Sequence, residues 1–450
     1  GLQPAECRGQ GPEGSGHARP LAGQPHQIGQ AEDFRSGALD DLPDGVRPCQ
    51  ASGDGRRHIA HPDRLELGRG DSPLEAGVSV DRFRQTTNLL ALIGQPGRFA
   101  TTTSALGDDE SKRTTAFLAY SLGEDTQRWG RWSARLFYTD IDTVQLTDEN
   151  RRAAPPRQLQ PLRIEREFQF QQRLAGLKLV GERSGSLWNL EHRALWGLDY
   201  LDSRITELRN GRQTSLQTGT STQLILGESF PLRDFPISDS REIGLFVEDE
   251  IRPQAGRWTL RAGLRADETR LEPRPDAIWL ADNPNVPVAR VARRSLSPRL
   301  GWSWAVTPDA RLFAQYAHGF RAPPFEDVNI GLDLPSIGVR ALPNPDLQPE
   351  RSDGIELGVR TQRSRLYGTV SLFATRYRDL IESKVNLGRD PVSGLTLFQS
   401  RNVAAAEIYG LEADLRAELS EWSASLDQWS VRFTATLTEG RDTRADRPLN

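Results

Sequence analysis

The groups with chemistry to offer in this 450-residue sequence are few: two cysteines, four notable histidines, and a run of charged and amide side chains between residues 318 and 350. Cys7 and Cys49 stand apart from any His or Cys at ligand spacing, so they support neither a disulfide framework nor a zinc site. His58 and His61 have the i, i+3 spacing of a metal pair but no carboxylate-rich helix around them. His318 carries an imidazole that could hold iron. It shares its parity with Leu312, Ala314 and Tyr316, however, which makes it an interfacial residue and only a weak ligand candidate. His192 lies on the apolar parity of its own segment and is weaker still. Arg321 can anchor a loop or an anionic ligand, or pair with Asp327 or Glu350, and Glu350 reads as an inward structural anchor. Glu326, Asp327, Asn329, Arg340 and Asn344 complete the candidate ligand-facing set. The acids Glu248, Glu250 and Asp267 sit on separate polar faces with no His or Ser organised around them, so no catalytic set is visible and the protein does not read as an enzyme.

The elements that must position these residues follow from hydrophobic periodicity, which is two from about residue 113 onward. In 257–267, Trp258, Leu260, Ala262, Leu264 and Ala266 alternate with Thr259, Arg261, Gly263, Arg265 and Asp267. One face is apolar and the other charged. The spacing predicts strands at 113–122, 132–141, 166–182, 188–201, 241–251, 257–270, 295–306, 311–320, 352–361, 366–378, 405–418 and 428–439. Most exceed the roughly 5–6 residues usual in soluble sheets.

Short and long connections alternate between these strands. Turns such as Arg252-Pro253-Gln254-Ala255-Gly256 are rich in turn formers, whereas 142–165, 202–240, 271–294, 321–351 and 379–404 are long. Tight turns at one rim and long loops at the other describe an antiparallel, up-and-down transmembrane β-barrel. In 188–200 the outward parity begins at Trp188 and ends at Tyr200, and twelve steps at about 3.3 Å, tilted by about 45°, span roughly 28 Å of height. That matches the apolar thickness of a bilayer with an aromatic residue at each interface.

Composition agrees. Hydrophobic residues make up 36% of the chain, mean hydropathy is -0.57, and no run approaches the ~18 apolar residues of a membrane helix; a barrel tolerates all three because its strands dilute apolar residues with polar ones. The net charge of -4 provides no basic excess for binding nucleic acid. Residues 1–70 hold 13 Gly, 7 Pro and one aromatic residue, Phe34, too little apolar surface to offset ordering. The expected division is therefore a disordered or non-native segment at 1–79 and a barrel at 80–450. A secretory start is not visible at Gly1, which reads as truncation.

Two short boxes carry a family resemblance. Phe320-Arg321-Ala322-Pro323 ends one strand, and Asn344-Pro345-Asp346-Leu347 follows after twenty residues. Together they resemble the paired FRAP and NPNL boxes of TonB-dependent outer-membrane receptors, most closely the haem/haemoglobin branch. Glu242–Glu250, Trp196–Tyr200 and Tyr409–Glu412 are similar to recurring strand segments of the same receptors. The resemblance implies location in the outer membrane of a Gram-negative bacterium, contact with its lipid, and TonB-driven uptake of haem or a ferric siderophore as transported ligand, with no permanent cofactor. It also implies a plug, a TonB-contacting box and roughly 22 strands. Only about twelve strands are counted and neither the plug nor the box is found before residue 80, so the expectation is a partial barrel, inactive as it stands. In the haem branch a His between the boxes is associated with haem capture; residues 324–343 contain none, which weakens the expectation of haem.

Pro323, Pro324, Pro345 and Pro349 lack a backbone donor and end ladder pairing, so the segment between the boxes is expected to project outward from two fixed feet. Two rival readings are a plugless passive porin and, less well supported, a soluble β-rich carbohydrate-binding protein. Upstream coding sequence without a plug favours the first, and solubility without detergent favours the second.

Overall fold

The computed structural model describes residues 57–59, 63–67 and 73–449, except 97–98, 123–129, 157, 336, 364–365, 420–425, 427–428 and 445. Cys7, Cys49 and His61 lie outside the described residues. Strands β1 (Arg57–Ile59) and β2 (Asp63–Leu67) both pair with β3 (Leu74–Asn88). The long meander continues through β4 (Thr102–Leu122), β5 (Arg131–Arg151), β6 (Leu162–Leu187) and β7 (Leu190–Ser215). Three two-residue strands, β8 (Ser221–Thr222), β9 (Leu224–Ile225) and β10 (Glu228–Ser229), lie in the next loop. Then come β11 (Ile237–Pro253), β12 (Trp258–Arg274), helix α1 (Ala277–Asp282), β13 (Val291–Thr307) and β14 (Ala310–Arg321). Helix α2 (Phe325–Asn329), β15 (Leu332–Leu334) and β16 (Val339–Leu342) precede β17 (Glu350–Arg363), β18 (Leu366–Arg389), β19 (Thr396–Glu418), β20 (Ser430–Asp442) and β21 (Arg447–Pro448).

Each long strand pairs antiparallel with the next long strand in sequence, which is the up-and-down topology expected. The sheet is open: β3 and β20 do not pair with each other. No described helix is long and apolar enough to cross a membrane.

All twelve anticipated strands are present, but they are longer at the loop-bearing rim, and β3 makes thirteen long strands among the described residues. Its start at Leu74 carries the sheet back past residue 80. The connections expected at 142–165 and 379–404 shrink to 152–161 and 390–395, because β5, β6, β18 and β19 continue upward. On β7 the outward face changes from Trp196, Leu198 and Tyr200 to Asp202, Arg204 and Thr206. Above that level the outward face carries polar side chains while Ser203, Ile205 and Glu207 are buried on the inward face, so the backbone stays paired while the apolar-out, polar-in contrast disappears. Trp188 is also displaced from its expected place: with Asn189 it forms the two-residue turn joining β6 to β7, at φ 53° and 62°. Positive φ at both positions is the backbone a primed hairpin turn requires.

The predicted parity holds on the membrane wall. Leu264, Leu296, Leu300, Trp302, Leu357, Leu372 and Phe433 are all exposed on the outward face, where lipid would cover them. On the lumen face, five phenylalanines lie flat over glycines directly opposite them in register: Phe117 over Gly77, Phe137 over Gly176, Phe246 over Gly197, Phe313 over Gly358, and Phe373 over Gly410. A Cβ at any of these glycines would run into the ring.

Candidate functional site at the loop-bearing mouth

The first box closes β14. Arg321 is opposite Glu350 in register and bonds it through Nη1 at 3.1 Å, while Glu350 Oε1 accepts from the Ile381 amide at 2.9 Å. The rim ion pair and the anchoring role of Glu350 are thus both present. His318, on the outward face, bonds Asp353 through Nδ1 at 2.9 Å, and Tyr316 Oη donates to the same carboxylate at 2.8 Å. His192 is likewise held by Asp249, at 2.7 Å.

Beyond Arg321 the structure departs from the expected projecting loop. Pro323 is buried and Pro324 leads into α2, so the missing proline donors fall at a helix start, where they leave no hydrogen bond unmade. The segment folds inward. Val328 and Leu347, each 1% exposed, form a core with Leu271 and Val291. Asn329 is fully buried and clamps one peptide group: its Oδ1 accepts from Ala289 N at 2.7 Å and its Nδ2 donates to Ala289 O at 3.0 Å. Asp327 accepts from Ser400 Oγ at 2.6 Å and Ser383 Oγ at 3.1 Å. From the second box, Asn344 Nδ2 donates to Ser400 O at 2.8 Å, and its Oδ1 accepts from Asp346 N at 3.1 Å. The stretch Val339–Leu342 then runs parallel to Thr396–Gln399 of β19.

Asp327, Asn329, Asn344 and Leu347 are therefore brought together as staples that fasten the segment. Arg321 and Arg340 are not; Arg340 pairs with Asp333 at 2.5 Å. Asp346 contributes through its backbone, its amide donating to Asn344 and its carbonyl accepting from Gln348 Nε2.

Glu326 has no hydrogen-bond partner for its buried Oε2. Burial pushes its carboxyl up to about 7, and neighbouring Asp327 adds to the rise. A carboxyl raised by packing holds its proton more tightly there, so the stabilisation is complete below about pH 4.5 and is lost as pH rises through about 7. Proteolysis within 322–349, normalised to an unfolded substrate, should be on the order of a hundredfold faster at pH 7.5 than at pH 4.5. Glu326→Gln should flatten that profile; an unaltered slope in the variant would exclude Glu326 as its source.

A second group of residues, not anticipated from the sequence, joins this segment to its neighbours. The loop between β7 and β11 folds over the lumen face, burying Ile225, Phe230 and Leu232 against Ile164 of β6. Arg209 of β7 holds it through Asp234 at 2.9 Å and Glu228 at 2.8 Å. The Asp234 amide donates to Glu207 Oε2 at 2.8 Å, and its carbonyl accepts from Gly331 N at 2.7 Å. Arg233 bonds Asp276, whose other oxygen caps α1 by accepting from Trp279 N at 3.0 Å. Phe235 meets Phe325 edge-on at 4.8 Å. Three loops consequently interlock into one layer on the lumen side of the mouth. The aspartate ahead of the Ala277–Leu280 run was the readable signal for α1.

Comparison with known proteins places this architecture. Residues 53–450 match the family model described as "TonB dependent receptor-like, beta-barrel". A hemoglobin and hemoglobin-haptoglobin-binding protein of Haemophilus ducreyi is 28% identical over 138 residues, 29% of this chain and 14% of that protein. Hemoglobin-haptoglobin utilization protein B of Neisseria meningitidis serogroup A is 29% identical over 175 residues, 35% of this chain and 21% of that one. The Serratia marcescens hemophore receptor HasR, solved as a double mutant with its hemophore HasA and heme, superposes with a TM-score of 0.53. That match has 18% identity and covers 82% of this chain and 54% of the receptor, a likeness of fold. The chain thus aligns with about a fifth or less of the length of these curated relatives and about half of the solved receptor.

Proposed function

The chain belongs to the TonB dependent receptor-like β-barrel family, and from that premise we propose that it forms the wall and mouth of an outer-membrane receptor for TonB-driven uptake of an iron-containing ligand, haem or a ferric chelate. The observation that carries this reading is the layer of three interlocked loops folded over the lumen side of the mouth, built around both boxes. A passive pore is served by an open mouth; a receptor needs a shaped surface there. The haemoglobin-binding relatives favour haem within the iron-ligand class. The cargo is a transported ligand rather than a resident cofactor, and the protein is a transporter rather than an enzyme.

For haem, the segment between the boxes offers Arg321 and Arg340 to the propionates, each of which must leave its acid partner to do so. His318 is turned outward and held by Asp353, away from the mouth. The test is growth of an iron-starved host expressing the receptor, with haem or a ferric siderophore as sole iron source. Growth on one of them, dependent on TonB, is expected, with His318→Ala changing it less than about twofold. Growth independent of TonB would favour the pore. A haem-specific loss in His318→Ala would make that imidazole a ligand.

A further inference from the structure

The outward wall of β14, β17 and β18 carries an unusual cluster just above its apolar band. Reading upward, β14 presents Leu312, Ala314, Tyr316, His318 and Phe320. Beside it β17 presents Leu357, Ile355, Asp353 and Arg351, and β18 presents Leu372, Ala374, Arg376 and Arg378. Arg351 and Arg378 are direct register partners. Like charges directly opposite on one face sit with Cβ atoms about 4.5–5.5 Å apart and destabilise the pair.

The local acids do not resolve this. Asp353 accepts from Tyr316 and His318 and also from Arg378 Nη2, so its capacity is largely taken. Arg376 reaches Glu407 only at 3.6 Å. Arg351 is exposed and makes no ion pair among the described residues. Three arginines therefore share one face where the wall passes from lipid to water: Arg351, which has no acid of its own, beside Arg378, which shares Asp353 with two other donors, with Arg376 one rung below. Arg376 and Arg378 are themselves 62% and 53% exposed.

We infer that Arg351, Arg378 and Arg376 form a binding site for the phosphate of a phosphorylated lipid headgroup in the outer leaflet, whose acyl chains lie along Leu312, Leu357 and Leu372. A tetrahedral phosphate accepts from two planar forks at once and removes the like-charge cost. The adjoining apolar wall selects a lipid over a free anion, because only a lipid covers both parts. The site rests on the reading that this face meets the outer leaflet, but not on which ligand is taken up.

The experiment uses the protein extracted from outer membranes in mild detergent, with lipid A as probe, supplied either as the bisphosphate or with both phosphates removed. Mass spectrometry should find the bisphosphate retained and the stripped form bound at least tenfold more weakly. Arg351→Glu should lower retention of the bisphosphate at least tenfold while leaving thermal stability in detergent unchanged or higher, since it converts the Arg–Arg pair into a salt bridge. Unchanged retention in that variant, equal binding of stripped lipid A, or full displacement by millimolar inorganic phosphate would each overturn the proposal. Failure here with iron-dependent growth intact would leave the receptor reading standing, and extraction without detergent would defeat the membrane reading itself.

Discussion

Arg209→Ala should release the β7–β11 loop from the lumen face at a cost of about 3–5 kcal/mol, the usual penalty for removing one side of a buried ion pair. Arg209 is 17% exposed and binds both Asp234 and Glu228, with the 1% exposed Glu207 accepting from the Asp234 backbone beside them. Without the guanidinium, three carboxyl groups remain around one desolvated space. The cheapest response is to undock the loop, which also removes the carbonyl that Gly331 uses and the ring that Phe325 meets. Limited proteolysis should therefore show cleavage within 216–236 and then within 322–349, while the barrel strands stay protected. Adding Asp234→Asn and Glu228→Gln to Arg209→Met should restore much of the resistance, because it removes the stranded charges. Resistance of Arg209→Ala equal to that of the wild type would show that apolar burial of Ile225, Phe230 and Leu232 alone holds the loop.

Leu264→Arg should destabilise the wall by about 2–4 kcal/mol near the bilayer midplane, whereas Arg265→Leu, one residue away, should cost about 1 kcal/mol. Leu264 is on the lipid face, opposite Pro298 and Val247. Arg265 is on the lumen face, 39% exposed, bonding Asp199 at 2.7 Å and Asp267 at 2.8 Å. Its loss leaves two wet carboxylates, which water can serve. Guanidinium unfolding in lipid vesicles separates the two variants, and equal midpoint shifts would contradict the assigned faces.

How much of this was readable depended on which solvent each face meets. Between Trp258 and Ala266 lipid demands an apolar residue at every second position, and the sequence carries the strand openly. Between Asp202 and Ser215 the outward face no longer meets lipid, so Arg204 and Glu207 look alike although one faces outward and the other is buried beneath a loop. The strand Leu74–Asn88 was hidden differently: its alternation Leu74, Ala76, Val78, Val80 gives way at once to Arg82 and Arg84, and it follows a Gly- and Pro-rich stretch. At the candidate site, the boxes were visible as motifs but their duties were not. The prolines of the first box suggested an outward loop, while the inward fold is fixed by Asn329 on Ala289, forty residues earlier, and by Asp327 on Ser400, seventy-three residues later. Such partners leave no local period to read.

The five phenylalanines laid over glycines bear on the radius a closed barrel would take. Each couples one seam, β3–β4, β5–β6, β7–β11, β14–β17 or β18–β19, to a single alignment, since sliding a strand by two residues would bring a Cβ beneath the ring and leave the glycine uncovered. In a closed barrel the summed stagger of the seams is the shear, and shear with strand number fixes tilt and radius. The girdle thus acts as a gauge: five small contacts help set the radius at which such a wall would close.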